Sequence, residues 1–359
     1  MKTLAEWQQH HMSIRTNLIV VAGRGWPYRR ELKHMDLPYR LIEVSTPRGG
    51  AGLLYLELTQ VWRKITSVLR EPALAHYHNA WMSGALTTEH DKTPSVVTFH
   101  GVPQAEYFDE HPGRAALHRH FAARTLQSGA ALVSVDADAP RRARNLLGIP
   151  AEKFSVVPNG VYDTTYRGCP RLRGENVMTV GVLGTLDENK GWRIAAQAVA
   201  KLAQSGSNIR LFIAGPGVRE AQIEAGQYCQ AIGHGSRYFG LLEQPRDNFI
   251  PFIDVLIVAS RTEGSPMSVL ECLAAGVPVV STRVGGLAEI LEHGFNALFV
   301  GRDCPQIAVA IQELGNDPAL HARLSRHARR TYEQKGTVAQ MANKYQELYH
   351  RAAPNVFHA

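Results

Sequence analysis

The stretch Ser260-Arg-Thr-Glu-Gly-Ser-Pro-Met-Ser-Val-Leu-Glu-Cys-Leu-Ala-Ala-Gly-Val-Pro-Val-Val-Ser281 concentrates residues able to do chemistry. The apolar run at 255–258 reads as a strand that ends in this polar turn. Ser265 suits a helix N-cap, and Pro266 suits the first helical position, where no backbone N–H is needed. The helix is expected to end at Gly276, and Pro278 to open the next strand. A helix N-terminus at the carboxyl end of a parallel strand gathers free N–H groups, here near Met267 and Ser268, and favours an anion. Two carboxylates bracket it: Glu263 in the turn, and Glu271 eight residues on, inside the helix. A carboxylate beside an anion site accepts hydrogen bonds from the hydroxyls of a sugar or ribose. A merely solvated Glu271 fits poorly, because its neighbours on both sides are apolar.

Positioning such a turn takes a parallel sheet, and the chain reads as two of them. Candidate strands fall at 17–22, 39–45, 73–78, 95–100, 130–135 and 154–157. A second set falls at 177–183, 210–214, 238–240, 255–258, 277–281 and 297–300. Helix-length segments such as 53–69 and 115–127 separate them, which argues for right-handed crossovers and doubly wound domains. After Lys190 and Gly191, apolar residues at Trp192, Ala195, Val199 and Leu202 define one buried helix face, and Gly206 supplies a stop. The stretch 158–174, rich in Pro, Gly, Asn and Arg, is the best linker. The expected division is therefore 1–158 and 159–337, with a last helix, about 338–359, packing back on the first domain.

The composition fits two globular domains: 359 residues, 45% hydrophobic and 20% charged. No apolar run approaches the roughly 20 residues of a membrane span. The four cysteines fit no metal spacing, and a cysteine-poor chain without an apolar leader is expected in the cytoplasm. The net charge of +7 leans towards the first 150 residues. An ordinary basic surface accounts for it; the sharper reading is peripheral contact with an anionic membrane face. A nucleic-acid partner is not expected, because there is no dense basic stripe.

Glu263-Gly-Ser-Pro, Glu271 and Ala275-Gly276-Val277-Pro278-Val279-Val280 together resemble the Glu-x7-Glu signature of retaining glycosyltransferases of the GT-B fold, family 4. Val182-Leu-Gly-Thr-Leu-Asp-Glu-Asn-Lys190-Gly191 looks like that family's phosphate-binding strand–loop–helix, and Leu211-Phe-Ile-Ala-Gly215-Pro-Gly217 like its next strand and turn. Pro158-Asn159-Gly160-Val161, Val284-Gly285-Gly286 and Val97-Thr-Phe-His100-Gly101 match in the right order. The resemblance implies a GT-B architecture, two Rossmann-like domains facing a central cleft, closing on a nucleotide-sugar donor. It implies that Lys190 pairs with the donor diphosphate, beside Gly184, Thr185 and Gly215. Glu271 would hold the ribose, and Glu263 the donor sugar with Gly264, Ser265, Pro266, Met267 and Ser268. His100 would bond the donor sugar near the reacting carbon. His78 and Asn79 would lie on the acceptor side, and Asn159 would fix the interdomain turn. No cofactor or metal is expected beyond the nucleotide-sugar co-substrate.

The implied activity is transfer of a hexose from a UDP- or GDP-sugar to a glycan or lipid-linked acceptor, with retained configuration, in surface polysaccharide synthesis. Two departures stand beside it. Thr185 occupies a position where many members have Arg, so Arg261 or Arg283 would supply a second cation. The family's opening strand and Gly-Gly loop also look missing, since the chain starts with what resembles the following helix, 4–12. Arg48-Gly49-Gly50-Ala51-Gly52 could mimic that loop, and the mixed basic helix at 61–70 either packs on the sheet or lies on a membrane. The alternative is a catalytically silent nucleotide-sugar-binding or partner protein with an incomplete first domain.

Overall fold

The computed structural model describes residues 2–12, 18–23, 39–44, 74–78, 93–102, 105–164, 166 and 177–355. Asn79, the loop at 48–52, the helix expected at 61–70 and much of the 158–174 linker lie outside the described residues. The chain divides into two compact units, Met1–Pro158 with Val338–Ala359, and Asn159–Thr337.

The second unit is built on six parallel strands: β7 (Met178–Leu183), β8 (Ile209–Ala214), β9 (Arg237–Tyr238), β10 (Val255–Val258), β11 (Val279–Ser281) and β12 (Ala297–Phe299). Their spatial order is β12-β11-β10-β7-β8-β9. The chain leaves β7 towards β8 and β9, then returns to build β10, β11 and β12 on the other side. The loops that follow β7 and β10 therefore diverge from adjacent strands, and such a switch point opens a crevice at the carboxyl edge.

Both faces of this sheet are covered, which explains strands that read as unbroken apolar runs. Along β10, Val255 and Ile257 enter the core layer that holds Trp192, Leu211 and Leu324. Leu256 and Val258 enter the opposite layer, with Phe249, Leu270 and Leu273. Helix α4 (Trp192–Gln204) buries Trp192, Ala195, Val199 and Leu202 along the face expected from their spacing. Helix α6 (Met267–Ala275) buries six of its nine residues and ends at Gly276, whose φ of 72° suits a residue without a Cβ. Helix α8 (Pro318–Lys335) packs against α6, and the Ser325 hydroxyl donates to the Gly276 carbonyl at 2.5 Å.

The first unit carries β3 (Ala75–His78), β4 (Ser95–Phe99), β5 (Ala131–Ser134) and β6 (Phe154–Val156) as one parallel sheet in that order. Strands β1 (Leu18–Gly23) and β2 (Tyr39–Val44) form a separate parallel ladder among the described residues. Helix α9 (Val338–Ala352) returns to this unit and packs on β4 and on α1 (Lys2–His11). It buries Val338, Met341, Tyr345, Leu348 and Tyr349.

One sequence expectation needs correcting. Ser265 is not the N-cap of α6; Pro266 is, and the helix starts at Met267 with no side-chain cap. The Ser265 hydroxyl is instead engaged from a distance, as described below.

Leu256 is fully buried in the central strand β10. Leu256→Ala is expected to cost about 2–5 kcal/mol, through lost burial and the cavity left behind. Urea denaturation should show a lower midpoint with an unchanged slope.

Candidate active site

Three loops at the carboxyl edge of the second unit meet around Glu263. The loop after β7 carries Gly184, Thr185 and Lys190; the loop after β10 carries Glu263, Gly264, Ser265 and Pro266; the loop after β11 carries Gly285. Lys190 Nζ donates to Glu263 Oε1 at 2.7 Å, and the Ser260 hydroxyl donates to the same oxygen at 2.6 Å. The Glu263 side chain is only 8% exposed against 31% for Lys190. A carboxylate so removed from water needs such partners, since leaving it unpaired would be costly.

Asn189 stitches the first two loops together. Its carbonyl accepts from the Arg261 N–H at 2.8 Å, and its side-chain oxygen accepts from the Thr262 hydroxyl at 3.1 Å. Arg302 pins them from beside β12, donating to the Ala259 carbonyl at 2.9 Å and to the Glu188 carbonyl at 2.5 Å. Burial, and then the nearby Arg261 charge, hold the Arg302 guanidinium below its ordinary pKa. The third loop closes in where the Gly286 N–H donates to the Glu263 carbonyl at 3.2 Å. Gly285, at φ 48°, makes this possible, since a Cβ there would stand 1.9 Å from the Glu263 oxygen. Gly215 likewise lies against Gly184, where a Cβ would meet the Gly184 oxygen at 1.8 Å.

Ser265 is fixed by the segment that enters this unit. The Asn159 N–H donates to Ser265 Oγ at 3.2 Å, and the Asn159 amide donates to the Ser265 carbonyl at 2.7 Å. Asn159 was expected to fix the interdomain turn; its observed bonds hold the turn leading into α6. With Ser265 committed there, the first N–H groups of α6, from Met267 and Ser268, have no side-chain cap. Their partial positive charge and the Lys190 ammonium share one edge of the sheet, a setting suited to an anion. Glu271 is half-buried on the second turn of α6. Of the two substitutes considered for a second cation, Arg283 lies over the Phe299 ring, 5.8 Å from its centroid, and Arg261 is exposed.

Sequence reasoning did not find Ser260, Asn189 or Arg302. Asn189 and Arg302 act through contacts between loops far apart in the chain, which no local spacing announces, whereas Ser260 lies only three residues before the carboxylate it bonds, a local signal that could have found it. The expectation of a metal-free site must also accommodate one Asp-x-Asp triplet, Asp136-Ala137-Asp138. Its carboxylates are engaged in the protein: Asp136 Oδ1 accepts from the N–H groups of Asp138 and Ala139, and Asp138 pairs with Arg141 and Arg142. Among the described residues no group of three or more His, Cys, Asp or Glu side chains could hold a metal, and no helix is long and apolar enough to cross a membrane.

In the first unit, His78 and His100 lie at the carboxyl ends of β3 and β4. His78 Nδ1 is 2.8 Å from His100 Nε2. Beneath them, His76 is bonded through Nδ1 to the Tyr349 hydroxyl and through Nε2 to the Thr98 hydroxyl, both at 2.7 Å. Thr98 also meets the Tyr345 hydroxyl at 2.9 Å. Burial pushes His76 down to about 3, with the neighbouring His100 acting in the same direction.

Two parallel α/β units, the second with a crevice at the switch point of its sheet, match the class of GT-B folds. Structural comparison agrees. The Anabaena protein HepE, solved with UDP and glucose, superposes with a TM-score of 0.74 over 97% of this chain and 94% of its own, at 18% identity. A sequence profile described as Glycosyl transferases group 1 matches residues 177–317, and one described as Glycosyltransferase Family 4 matches 15–164. The chain belongs to the family 4 glycosyltransferases. It is 28% identical to the 2-deoxystreptamine glucosyltransferase of Streptomyces kanamyceticus over 48% of each chain. It is also 28% identical to the D-inositol 3-phosphate glycosyltransferase of Acidothermus cellulolyticus, over 72% of this chain and 64% of that one. The matched part thus spans about half of the first relative's length and about two thirds of the second's.

The histidine cluster gives a pH prediction. The unfolded chain takes up a proton on His76 near the ordinary value of 6.5, whereas the folded protein does so only near 3. Acid therefore favours the unfolded state, and stability is lost as pH falls from about 6.5 towards 3. His78 and His100, also held down by burial, add in the same direction. The thermal midpoint should fall between pH 7.5 and 5, less steeply in His76→Gln. An equal slope in that variant would remove His76 as the cause.

Proposed function

We propose that this protein transfers a hexose from a UDP- or GDP-sugar to a glycan or lipid-linked hydroxyl, with retention of configuration, in the assembly of a surface polysaccharide. The observation that carries the reading is the Lys190–Glu263 pair beside the uncapped start of α6. The donor diphosphate binds at Lys190 and the N–H groups of Met267 and Ser268. Glu263, with Gly264 to Pro266, binds the donor sugar, and Glu271 binds the ribose. Gly184, Thr185 and Gly215 form the wall of the diphosphate site.

Charge develops on the leaving diphosphate as the glycosidic bond breaks. Lys190 and the helix N-terminus stabilise that charge, and both are in place beforehand. Glu263 is a poor candidate for a covalent nucleophile, since Oε1 already accepts from Lys190 and Ser260. This supports attack by the acceptor hydroxyl on the face the diphosphate leaves. No metal takes part in holding the diphosphate. His100 acts in the transfer step, and His78 and Asn79 act on the acceptor. HepE, a protein of the same fold, has been solved with UDP-glucose, which supports a UDP-sugar as the first donor to try.

The test is calorimetric titration with a panel of UDP-, GDP- and ADP-sugars, without metal and then with magnesium. One donor should bind saturably without metal. Lys190→Ala and Glu271→Ala should each weaken it about tenfold to a hundredfold, the worth of a charge-assisted hydrogen bond. His100→Ala should reduce transfer more than donor binding. Wild-type affinity in both binding-site variants would overturn the site, and binding without transfer to any acceptor would favour a silent binding protein.

A further inference from the structure

The two histidines of the first unit make a contact that their separate roles do not require. In the β3–β4 register His78 lies opposite Thr98, and His100 follows two positions later. His76, His78, Thr98 and His100 accordingly share one face, with side-chain hydrogen bonds reaching Tyr345 and Tyr349 of α9. The His78 and His100 rings stack with centroids 5.1 Å apart and planes 19° from parallel. His78 in turn lies on the His76 ring, with centroids 4.1 Å apart, and both nitrogens of that ring are already bonded. The pair is therefore seated on an anchored base. Among the described residues, the nitrogens facing away from the shared bond, Nε2 of His78 and Nδ1 of His100, have no hydrogen-bond partner.

Burial keeps His100 down to about 4 and His78 well below its ordinary value, although an edge of His100 meets solvent. Both rings are thus neutral near pH 7, and a neutral imidazole carries one N–H. The bond between them holds a single proton. If it belongs to His100 Nε2, then His100 Nδ1 is a bare acceptor and His78 shows an N–H at Nε2. If it belongs to His78 Nδ1, the outward roles exchange. In either state the pair offers one donor and one acceptor.

We infer that His78 is a positioning residue for His100: the two rings form one tautomeric unit that presents a hydroxyl-bearing substrate with one donor and one acceptor at a fixed separation. A sugar hydroxyl donates one hydrogen bond and accepts others, so neighbouring hydroxyls match such a pair. A single imidazole could offer both functions only from opposite edges of its ring. This inference rests on the assignment of His100 to the transfer step.

The test joins 15N NMR of the histidine-labelled full chain with transfer kinetics. In the wild type, His100 should show a single neutral tautomer with Nε2 in a hydrogen bond. His78→Leu should give a mixture of His100 tautomers and lower kcat about tenfold, the worth of one hydrogen bond, with donor KM within about twofold. His78→Asn places an amide where Nδ1 lies and should restore the tautomer and part of kcat, since it lacks the outward Nε2. His78→Gln, whose amide reaches the Nε2 position, should restore neither. An unchanged His100 tautomer in His78→Leu, or equal kcat loss in the Asn and Leu variants, would overturn the inference. If the wild type transfers no sugar, the assignment of His100 falls on its own, and the tautomer measurement, which needs no activity, still decides whether the rings are coupled.

Discussion

A lysine and a glutamate 73 positions apart in the chain meet at 2.7 Å, and the carboxyl edge of the second unit is arranged around that meeting. Glu263 is almost wholly withdrawn from water, so its charge must be answered inside the protein. Lys190 and Ser260 answer it, and each demand fixes a backbone. The loop after β7 must reach the loop after β10, hence the Asn189 stitch and the Arg302 clamp. The loop after β11 must come close enough to bond the Glu263 carbonyl, hence a glycine where no Cβ fits. The cation is thereby held on the protein's own anion before any ligand arrives. An anion bound there would find its cation already ordered by folding, which is the physical content of preorganisation.

The first unit solves its positioning problem without charge. His76, Thr98, Tyr345 and Tyr349 form a bonded network of neutral groups, and desolvation keeps it neutral. Such a network tolerates burial because nearly every member finds a partner. It orients by direction alone, whereas the second unit orients by attraction. The two modes suit different tasks: a fixed cation stabilises charge, while aimed neutral nitrogens recognise hydroxyls.

The strands were legible because strands buried on both faces leave compact apolar runs, and the expected positions for β7 and β10 fall within a residue or two of those observed. The face of α4 was legible for a similar reason, since a single buried stripe imposes its period. The start of α6 was misread. Ser265 has the right chemistry for a cap, but Asn159, 106 positions earlier, claims its hydroxyl. The acidic pair was visible as Glu263 and Glu271, yet the partner of Glu263 was not, because Lys190 meets it only through the order of strands. The bond between His78 and His100 depends on strand register and ring orientation, neither of which residue types disclose. Asp136 and Asp138 show the converse: a triplet that resembles a metal ligand set, whose carboxylates instead bond backbone N–H groups and arginines at the start of a helix.

The return of α9 has a consequence for how the molecule is made. The second unit is continuous in the chain, whereas the first needs residues from both sides of it. His76 waits for Tyr349, 273 positions later, before its ring is held. On a ribosome the first unit therefore cannot complete its fold until the whole second unit has been made. The usual order, in which earlier domains settle first, is closed to a unit whose last helix is made after the whole of its neighbour. Until α9 emerges, the surfaces of β4 and α1 that receive it lack that cover.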